Sequence, residues 1–239
     1  MGHYELFFFM SGLCAGSFLN CVADRSVSKK SWIKGRSCCE SCGHHLSFYD
    51  LIPVFSFLFL KGRCRYCHEK LSFRYPVSEI LTGFVYLLSY QKYGTLNPFL
   101  FRDLFLFSIL ILSSFIDMKT FILPDELIIL GIANWILSIF FVKEKISYLY
   151  EGCAGALFLS FLIFLLYLAF SFIYGKEGIG GGDIKFLFLC GLYSGVYKGL
   201  KILLFASATG LIYMMIRKEK MIPFGPFLSL GLFLVMICP

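Results

Sequence analysis

Eight long apolar runs, separated by short polar segments, extend along the chain. They cover approximately residues 4–22, 76–90, 99–116, 121–142, 147–174, 184–197, 200–216 and 222–238. An α-helix needs about 20 predominantly apolar residues to cross a bilayer. The pattern therefore predicts an all-α polytopic membrane protein with about eight transmembrane helices.

Two of the apolar segments need separate treatment. Residues 48–60 are too short to cross and are interrupted by Asp50 and Pro53, so we expect this stretch to lie at the membrane interface. The first run, residues 4–22, has no basic segment before it and leads directly into a basic segment. This favours a retained first helix over a cleaved signal peptide.

The composition excludes a water-soluble domain. Hydrophobic residues make up 58% of the 239 residues and charged residues only 15%, whereas soluble chains are about one quarter charged. Too few polar side chains are present to cover such a core.

The positions of the basic residues predict the orientation, because Lys and Arg accumulate on the cytoplasmic side of membrane proteins. Residues 23–75 contain ten of them, which places this segment in the cytosol. If each predicted span then crosses the membrane once, 16 of the 22 Lys and Arg residues lie inside. The six outside are Lys92, Arg102, Lys143, Lys145, Lys198 and Lys201. The expected organisation is a first helix (1–22), a cytosolic module (23–75) and a transmembrane domain (76–239).

Four cysteines in the cytosolic module form two closely spaced pairs. Cys39-Glu-Ser-Cys42 is followed after 21 residues by Cys64-Arg-Tyr-Cys67. Each Cys-x-x-Cys turn directs two sulfurs to one point, and two such turns complete the tetrahedron that zinc prefers. The pattern predicts a zinc-ribbon-like module held by Cys39, Cys42, Cys64 and Cys67. Two reducible disulfides are the alternative, and the substitute ligands are Cys38, His44, His45 and His68.

Carboxylates in or beside the predicted spans are the second chemical signal, because an ionisable group in a membrane is costly and is usually functional. Asp117 follows a dense apolar run, and Asp183 closes the glycine-rich stretch 178–183, both at the predicted cytosolic edge. Asp125 follows Pro124 at the start of a span and fits a helix cap or interfacial anchor. The full set is Glu79, Asp103, Asp117, Asp125, Glu126, Glu151 and Asp183.

Two carboxylates held close together in a low-dielectric site suit proton exchange, since one keeps its proton while the other acts as a base. That is the chemistry of aspartic proteases. The glycine run by itself is ambiguous. It is compatible with close approach of a substrate strand, with a tight turn, with a helix-packing surface or with a phosphate nest.

Taken in order, these motifs resemble the type IV prepilin peptidases, bifunctional membrane aspartyl proteases of the GxGD class. The resemblance covers nearly the whole chain. Glu40 departs from it, because the family usually has Pro inside the first cysteine pair. The matching motifs are Gly16-Ser-Phe-Leu-Asn20, the paired Cys-x-x-Cys turns, Tyr49-Asp50-Leu-Ile-Pro53, Arg74-Tyr75-Pro76 with Glu79, Ile116-Asp117 with Pro124-Asp125, Gly180-Gly181-Gly182-Asp183 and Ile222-Pro223-Phe224-Gly225-Pro226.

The resemblance implies that Asp117 and Asp183 are the catalytic pair of a leader peptidase in the bacterial inner membrane. Its implied substrates are type IV prepilins or pseudopilins of pilus, secretion or competence systems, with no nucleic acid partner. It also implies methylation of the new N-terminus with S-adenosylmethionine as the methyl donor. No residue of this sequence is assigned to that cofactor.

Two other functional classes stay open at this level. A transporter or channel also uses intramembrane carboxylates and glycine-broken helices, but more often places them near the middle of the bilayer. A zinc-ribbon membrane scaffold would make the aspartates structural. Peptide cleavage distinguishes the peptidase from both alternatives.

Overall fold

The computed structural model describes residues 2–29, 31, 35–39, 41–174, 180–218 and 221–238. Within these ranges the chain is helical, and β structure is limited to two isolated bridges. The all-α expectation is confirmed. The helices are α1 (His3–Val27), α2 (Phe55–Phe59), α3 (Arg74–Tyr93), α4 (Pro98–Thr120), α5 (Asp125–Ser138), α6 (Lys145–Tyr174), α7 (Gly181–Arg217) and α8 (Gly225–Ile237).

Four helices of the described chain are long and apolar enough to cross a membrane, namely α1, α4, α6 and α7. α8 is apolar but has only 13 residues. α3 and α5 occupy two further predicted runs, with 20 and 14 residues. The number of eight spans therefore stays a prediction.

Two of the predicted spans, 184–197 and 200–216, lie on α7. Gly195 interrupts this helix with φ 69° and ψ −174°, angles that no helical residue adopts. A side chain would be strained at such a positive φ. The break at Gly195 thus divides α7 near the boundary that the hydropathy pattern predicts.

The chain divides into two compact units, Met1–Leu100 and Phe101–Pro239. In the first unit, α1 packs closely on α3 because the contact face of α1 carries glycines. A Cβ atom at Gly12 would lie 2.7 Å from the carbonyl oxygen of Thr82, and one at Gly16 would lie 2.9 Å from Cα of Glu79. Such small-residue contacts are typical of helix packing in membranes. The predicted division at residues 22 and 75 stays a prediction.

In the second unit, α6 and α7 approach each other closely at Gly155 and Gly191, where an added Cβ on Gly155 would lie 2.6 Å from the Gly191 carbonyl oxygen.

A buried ion pair lies near the start of α4, because the guanidinium of Arg102 lies 2.6 Å from the fully buried carboxylate of Asp103. The side-chain amide of Asn134 in α5 donates to the Arg102 carbonyl at 2.9 Å. Asp103 therefore has a structural partner.

Candidate active site and cysteine cluster

Asp117 lies in the last turn of α4 and is only 4% exposed. Its Oδ2 atom accepts a hydrogen bond from the backbone N–H of Gly225 at 2.8 Å. Gly225 is the first residue of α8. The carboxylate therefore lies at a helix N-terminus, where free N–H groups and the helix dipole favour a negative charge.

Asp183 lies in the first turn of α7 and is partly buried. Its backbone N–H donates to the carbonyl of Gly180 at 3.1 Å, so the helix starts at the glycine run. Of that run, positions 178 and 179 lie outside the described residues. The glycines thus form the entry of α7, and Asp183 projects from its first turn.

The structure brings these two aspartates together. They are close enough for the charge of Asp117 to act on the carboxyl group of Asp183. Leu123, in the link between α4 and α5, packs at the same place. A Cβ atom added to Gly182 would lie 3.3 Å from the Leu123 side chain, and one added to Gly225 would lie 3.2 Å from it. The end of α4 and the starts of α7 and α8 therefore meet around one pair of carboxylates.

This arrangement supports acid–base chemistry on a polar bond. Two neighbouring carboxylates that share a proton can activate a water molecule and protonate a carbonyl oxygen. A glycine-rich helix entry beside them allows the backbone of a peptide to come close.

Asp125 is placed differently. Both of its carboxylate oxygens accept hydrogen bonds from the ammonium of Lys185, at 2.7 and 2.9 Å, and its side chain is 61% exposed. Pro124 holds the cap position of α5, so Asp125 is the first helical residue. It forms an exposed ion pair between α5 and α7.

The other membrane carboxylates lie elsewhere. Glu79 is buried in the first unit, where it accepts the backbone N–H of Val54 at 2.7 Å. Glu126 and Glu151 are exposed. Among the described residues of the second unit, Asp117 and Asp183 are the buried or half-buried carboxylates that form no salt bridge.

The four predicted cysteines converge in the first unit. The sulfurs of Cys39, Cys42, Cys64 and Cys67 all lie within 4.8 Å of one another, and those of Cys39 and Cys67 are 3.9 Å apart. Tetrahedral zinc with Zn–S bonds of about 2.3 Å separates its sulfurs by about 3.8 Å. The donor set and its spacing fit that ion.

The two halves of the cluster have the same backbone design. The N–H of Cys39 donates to the carbonyl of His44, and the N–H of Cys64 donates to the carbonyl of Glu69, at 3.0 and 2.9 Å. Gly43 and His68 have φ values of 70° and 59° at equivalent positions after each pair. Each Cys-x-x-Cys turn is thus a tight hairpin that returns the chain beside its first cysteine.

The thiols of the cluster influence one another. The backbone N–H of Cys42 stabilises the Cys39 thiolate and lowers the pKa of Cys39 to about 7. The backbone N–H of Glu69 likewise favours the Cys67 thiolate, but desolvation and the neighbouring thiols outweigh it and raise the pKa of Cys67 to about 12. A cation among the sulfurs would offset the mutual repulsion of the thiolates, because it stabilises all four of them together.

The proposed substitute ligands do not join this group among the described residues. Cys38 is exposed, and the ring of His44 lies against that of Tyr66, with centroids 3.6 Å apart and the ring planes tilted by 31°. His45 lies opposite Cys38 in an isolated bridge. The four-cysteine set is therefore the one that the geometry favours.

Comparisons with known proteins match most of the chain. The model of the bacterial peptidase A24 N-terminal domain matches residues 10–93, and that of the type IV leader peptidase family matches residues 104–215. No solved structure matches.

Three similar relatives carry the name prepilin leader peptidase/N-methyltransferase. The protein of Pectobacterium carotovorum subsp. carotovorum is 33% identical, over 92% of this chain and 88% of its own. That of Neisseria gonorrhoeae is 30% identical, over 92% and 85%. That of Klebsiella pneumoniae is 34% identical, over 84% and 90%.

Proposed function

Because the chain belongs to the type IV leader peptidase family, we propose that it removes the leader peptide from type IV prepilins or pseudopilins and then methylates the new N-terminus. The names of the relatives support both activities. A transporter or scaffold function is not favoured, since these relatives are named as processing enzymes.

The observation that carries the peptidase proposal is the meeting of Asp117 and Asp183 at the starts of α7 and α8. Three separate helix ends form this site, and the two residues are 66 positions apart in the chain. Fold stability alone does not require two carboxylates to lie close together away from solvent, because their repulsion is unfavourable. We propose that they are the catalytic pair.

In the proposed mechanism, one aspartate takes a proton from a water molecule while its protonated partner donates to the carbonyl oxygen of the scissile peptide bond. The water oxygen adds to the carbonyl carbon. When the C–N bond breaks, the leaving amine receives a proton and the leader ends in a carboxylate. The hydrogen bond from Gly225 keeps the Asp117 carboxylate oriented throughout.

We propose that both the dyad and the cysteine cluster face the cytosol of a bacterial cell, with the helices in the inner membrane. The bias of basic residues supports this orientation. A prepilin has a short basic leader before an apolar helix, so its cleavage site comes to the cytosolic edge of the membrane.

We also propose that Cys39, Cys42, Cys64 and Cys67 hold one zinc ion. Its role there is structural, since four thiolates leave no open coordination position for a substrate. A short module between α1 and α3 buries little core of its own, so the metal supplies folding free energy. The proposed methyl donor is S-adenosylmethionine, and no residue is assigned to it.

The test is incubation of the purified protein with a prepilin and S-adenosylmethionine, followed by mass spectrometry of the product. Loss of the leader reports cleavage, and a gain of one methyl group reports methylation. An intact prepilin after incubation with folded protein would contradict the peptidase proposal. A cleaved but unmethylated product would contradict only the second activity.

A further inference from the structure

An exposed apolar segment lies between the two cysteine pairs. We call residues 48–60 the apolar wedge; they comprise the turn Phe48–Leu51 and helix α2. Phe48 is 79% exposed, Tyr49 71% and Phe59 84%. So many exposed aromatic side chains in one short segment indicate a contact surface rather than a solvated loop.

The wedge packs beside the middle of a membrane helix. An apolar cavity of about 220 Å³ lies between the two segments, lined by Met10, Leu13 and Cys14 of α1 and by Phe48, Leu51, Ile52, Pro53 and Phe55 of the wedge. Leu13 lies nine residues before the end of the predicted first span at residue 22, which corresponds to about 14 Å along the helix. A bilayer around α1 would therefore bring acyl chains against the exposed face of the wedge.

Polar backbone groups in and beside the wedge are hydrogen-bonded within the protein, as a lipid environment requires. The N–H of Val54 donates to the buried Glu79 carboxylate, and those of Lys61 and Gly62 donate back to the carbonyls of Leu58 and Phe57. Irregular backbone is tolerated at membrane depth only where its polar groups are satisfied by protein. Val54 has φ 61°, which is strained for a β-branched residue, so Glu79 holds this turn in place.

Basic residues stand directly at the exit of the wedge. Lys61 and Arg63 follow α2, and an isolated antiparallel bridge places Lys70 opposite Arg63. All three side chains are exposed. Cations beside an inserted apolar segment are positioned to bind the phosphates of anionic head groups.

We propose that the apolar wedge inserts into one leaflet of the bilayer and that Lys61, Arg63 and Lys70 bind anionic phospholipid at its exit. The wedge is also tied to the second cysteine pair, because Asp50 accepts a hydrogen bond from Arg65 at 2.7 Å. Lipid contact therefore fixes the cysteine module against the membrane at a defined depth.

Fluorescence quenching by brominated lipids tests this proposal on the full-length protein in nanodiscs. Phe59→Trp and Phe48→Trp add a fluorophore at two exposed wedge positions, and the unsubstituted chain with its two tryptophans gives the background. Glu69→Trp is the matched control, at an exposed position in the second cysteine hairpin. We expect brominated phosphatidylcholine to quench the added signal at both wedge positions and not at the control.

The lipid preference tests the role of the cations. We expect brominated phosphatidylglycerol to quench the Phe59→Trp signal at least about fivefold more effectively than brominated phosphatidylcholine. The attraction of one cation to an anionic membrane surface, about 1 kcal/mol, corresponds to this ratio. Replacement of Lys61, Arg63 and Lys70 by Gln should abolish the preference and leave quenching by phosphatidylcholine unchanged.

Three results would overturn the proposal. One is quenching at the wedge positions no stronger than at the Glu69→Trp control. Another is an anionic preference that the triple Gln variant retains. The third is that neither brominated lipid nor aqueous acrylamide quenches the fluorescence of the added tryptophans. This would show that protein, such as a second copy or a substrate, covers the wedge.

Discussion

The carboxylate of Asp117 accepts the backbone N–H of Gly225, a residue 108 positions later in the chain, at 2.8 Å. This bond joins the end of α4 to the first residue of α8. A side chain at position 225 has no room, because its Cβ would lie 2.7 Å from the same oxygen of Asp117. The glycine therefore places an N–H donor directly against the proposed catalytic carboxylate.

Gly225→Ala should lower the cleavage rate by about 10-fold or more, because displacing a positioned acid or base by about 1 Å costs up to about 100-fold. The matched control is Gly210→Ala, whose added Cβ meets side chains alone: the flexible end of Ile222 at 3.3 Å, and the rings of Phe227 and Phe224 at the ordinary contact distances of 3.7 and 3.8 Å. Steady-state cleavage of a prepilin by both variants, at equal amounts of folded protein, is the measurement. Equal rates would show that the Gly225 contact does not position Asp117.

Asp117→Asn and Asp183→Asn should each reduce prepilin cleavage by about 10²- to 10⁴-fold, since Asn cannot exchange a proton as an acid or base. Asp125→Asn is the control, because its ion pair with Lys185 is exposed and such pairs contribute at most about 1 kcal/mol of stability. Near-normal cleavage by either of the first two variants would end the dyad proposal. If methylation has a separate site, both inactive variants should still methylate a pre-cleaved pilin.

The helical fold and the cysteine cluster could be predicted from local sequence. Long apolar runs specify helices, and the spacing within Cys39–Cys42 and Cys64–Cys67 brings each pair of sulfurs together by turn geometry alone. Hydropathy also marked the division of α7, because polar residues such as Lys198 follow the break at Gly195.

The site itself required tertiary structure. The family resemblance implies that Asp117 and Asp183 share one location. The sequence around each aspartate, taken separately, is equally compatible with an ordinary helix end. The Gly225 donor is a backbone group, which leaves no side-chain signal, although the sequence Phe224-Gly225-Pro226 marks a helix start. The pairing of Asp125 with Lys185 joins residues 60 positions apart, and periodicity cannot detect such a contact.

Replacing Cys42 and Cys67 together by Ser should remove the bound zinc, since two of four ligands are lost and the remaining pair cannot complete the tetrahedron. Cys38→Ser should keep one zinc per chain, because Cys38 lies outside the cluster. Metal analysis of the purified proteins decides this. Full zinc content in the double variant, or none in the native chain, would contradict the assignment.

Zinc retention should depend on pH in a defined direction. Binding requires thiolates, so protons compete with the metal and the affinity falls as the pH falls. The Cys39 thiol has a pKa of about 7, so below that pH its protonation alone should cost about 10-fold in affinity per pH unit. Competition with a chelator between pH 5 and 8, corrected for the chelator's own protonation, is the measurement. An affinity independent of pH would exclude thiolate coordination.

The final prediction concerns orientation and follows from the 16 to 6 distribution of basic residues. Single cysteines replacing Lys30, Lys119 or Lys176, in a background that keeps the four clustered cysteines, should react with an impermeant thiol reagent only after the cells are opened. Lys119 lies in the last turn of α4, two residues from Asp117. Its accessibility therefore also reports on which side of the membrane the dyad lies. Positions 30 and 176 lie outside the described residues. Cysteines replacing Lys92 or Lys143 are the controls and should react in intact cells. The reverse labelling pattern would place the dyad on the outer face, where the basic leader of a prepilin does not lie, because positively charged flanks remain in the cytosol.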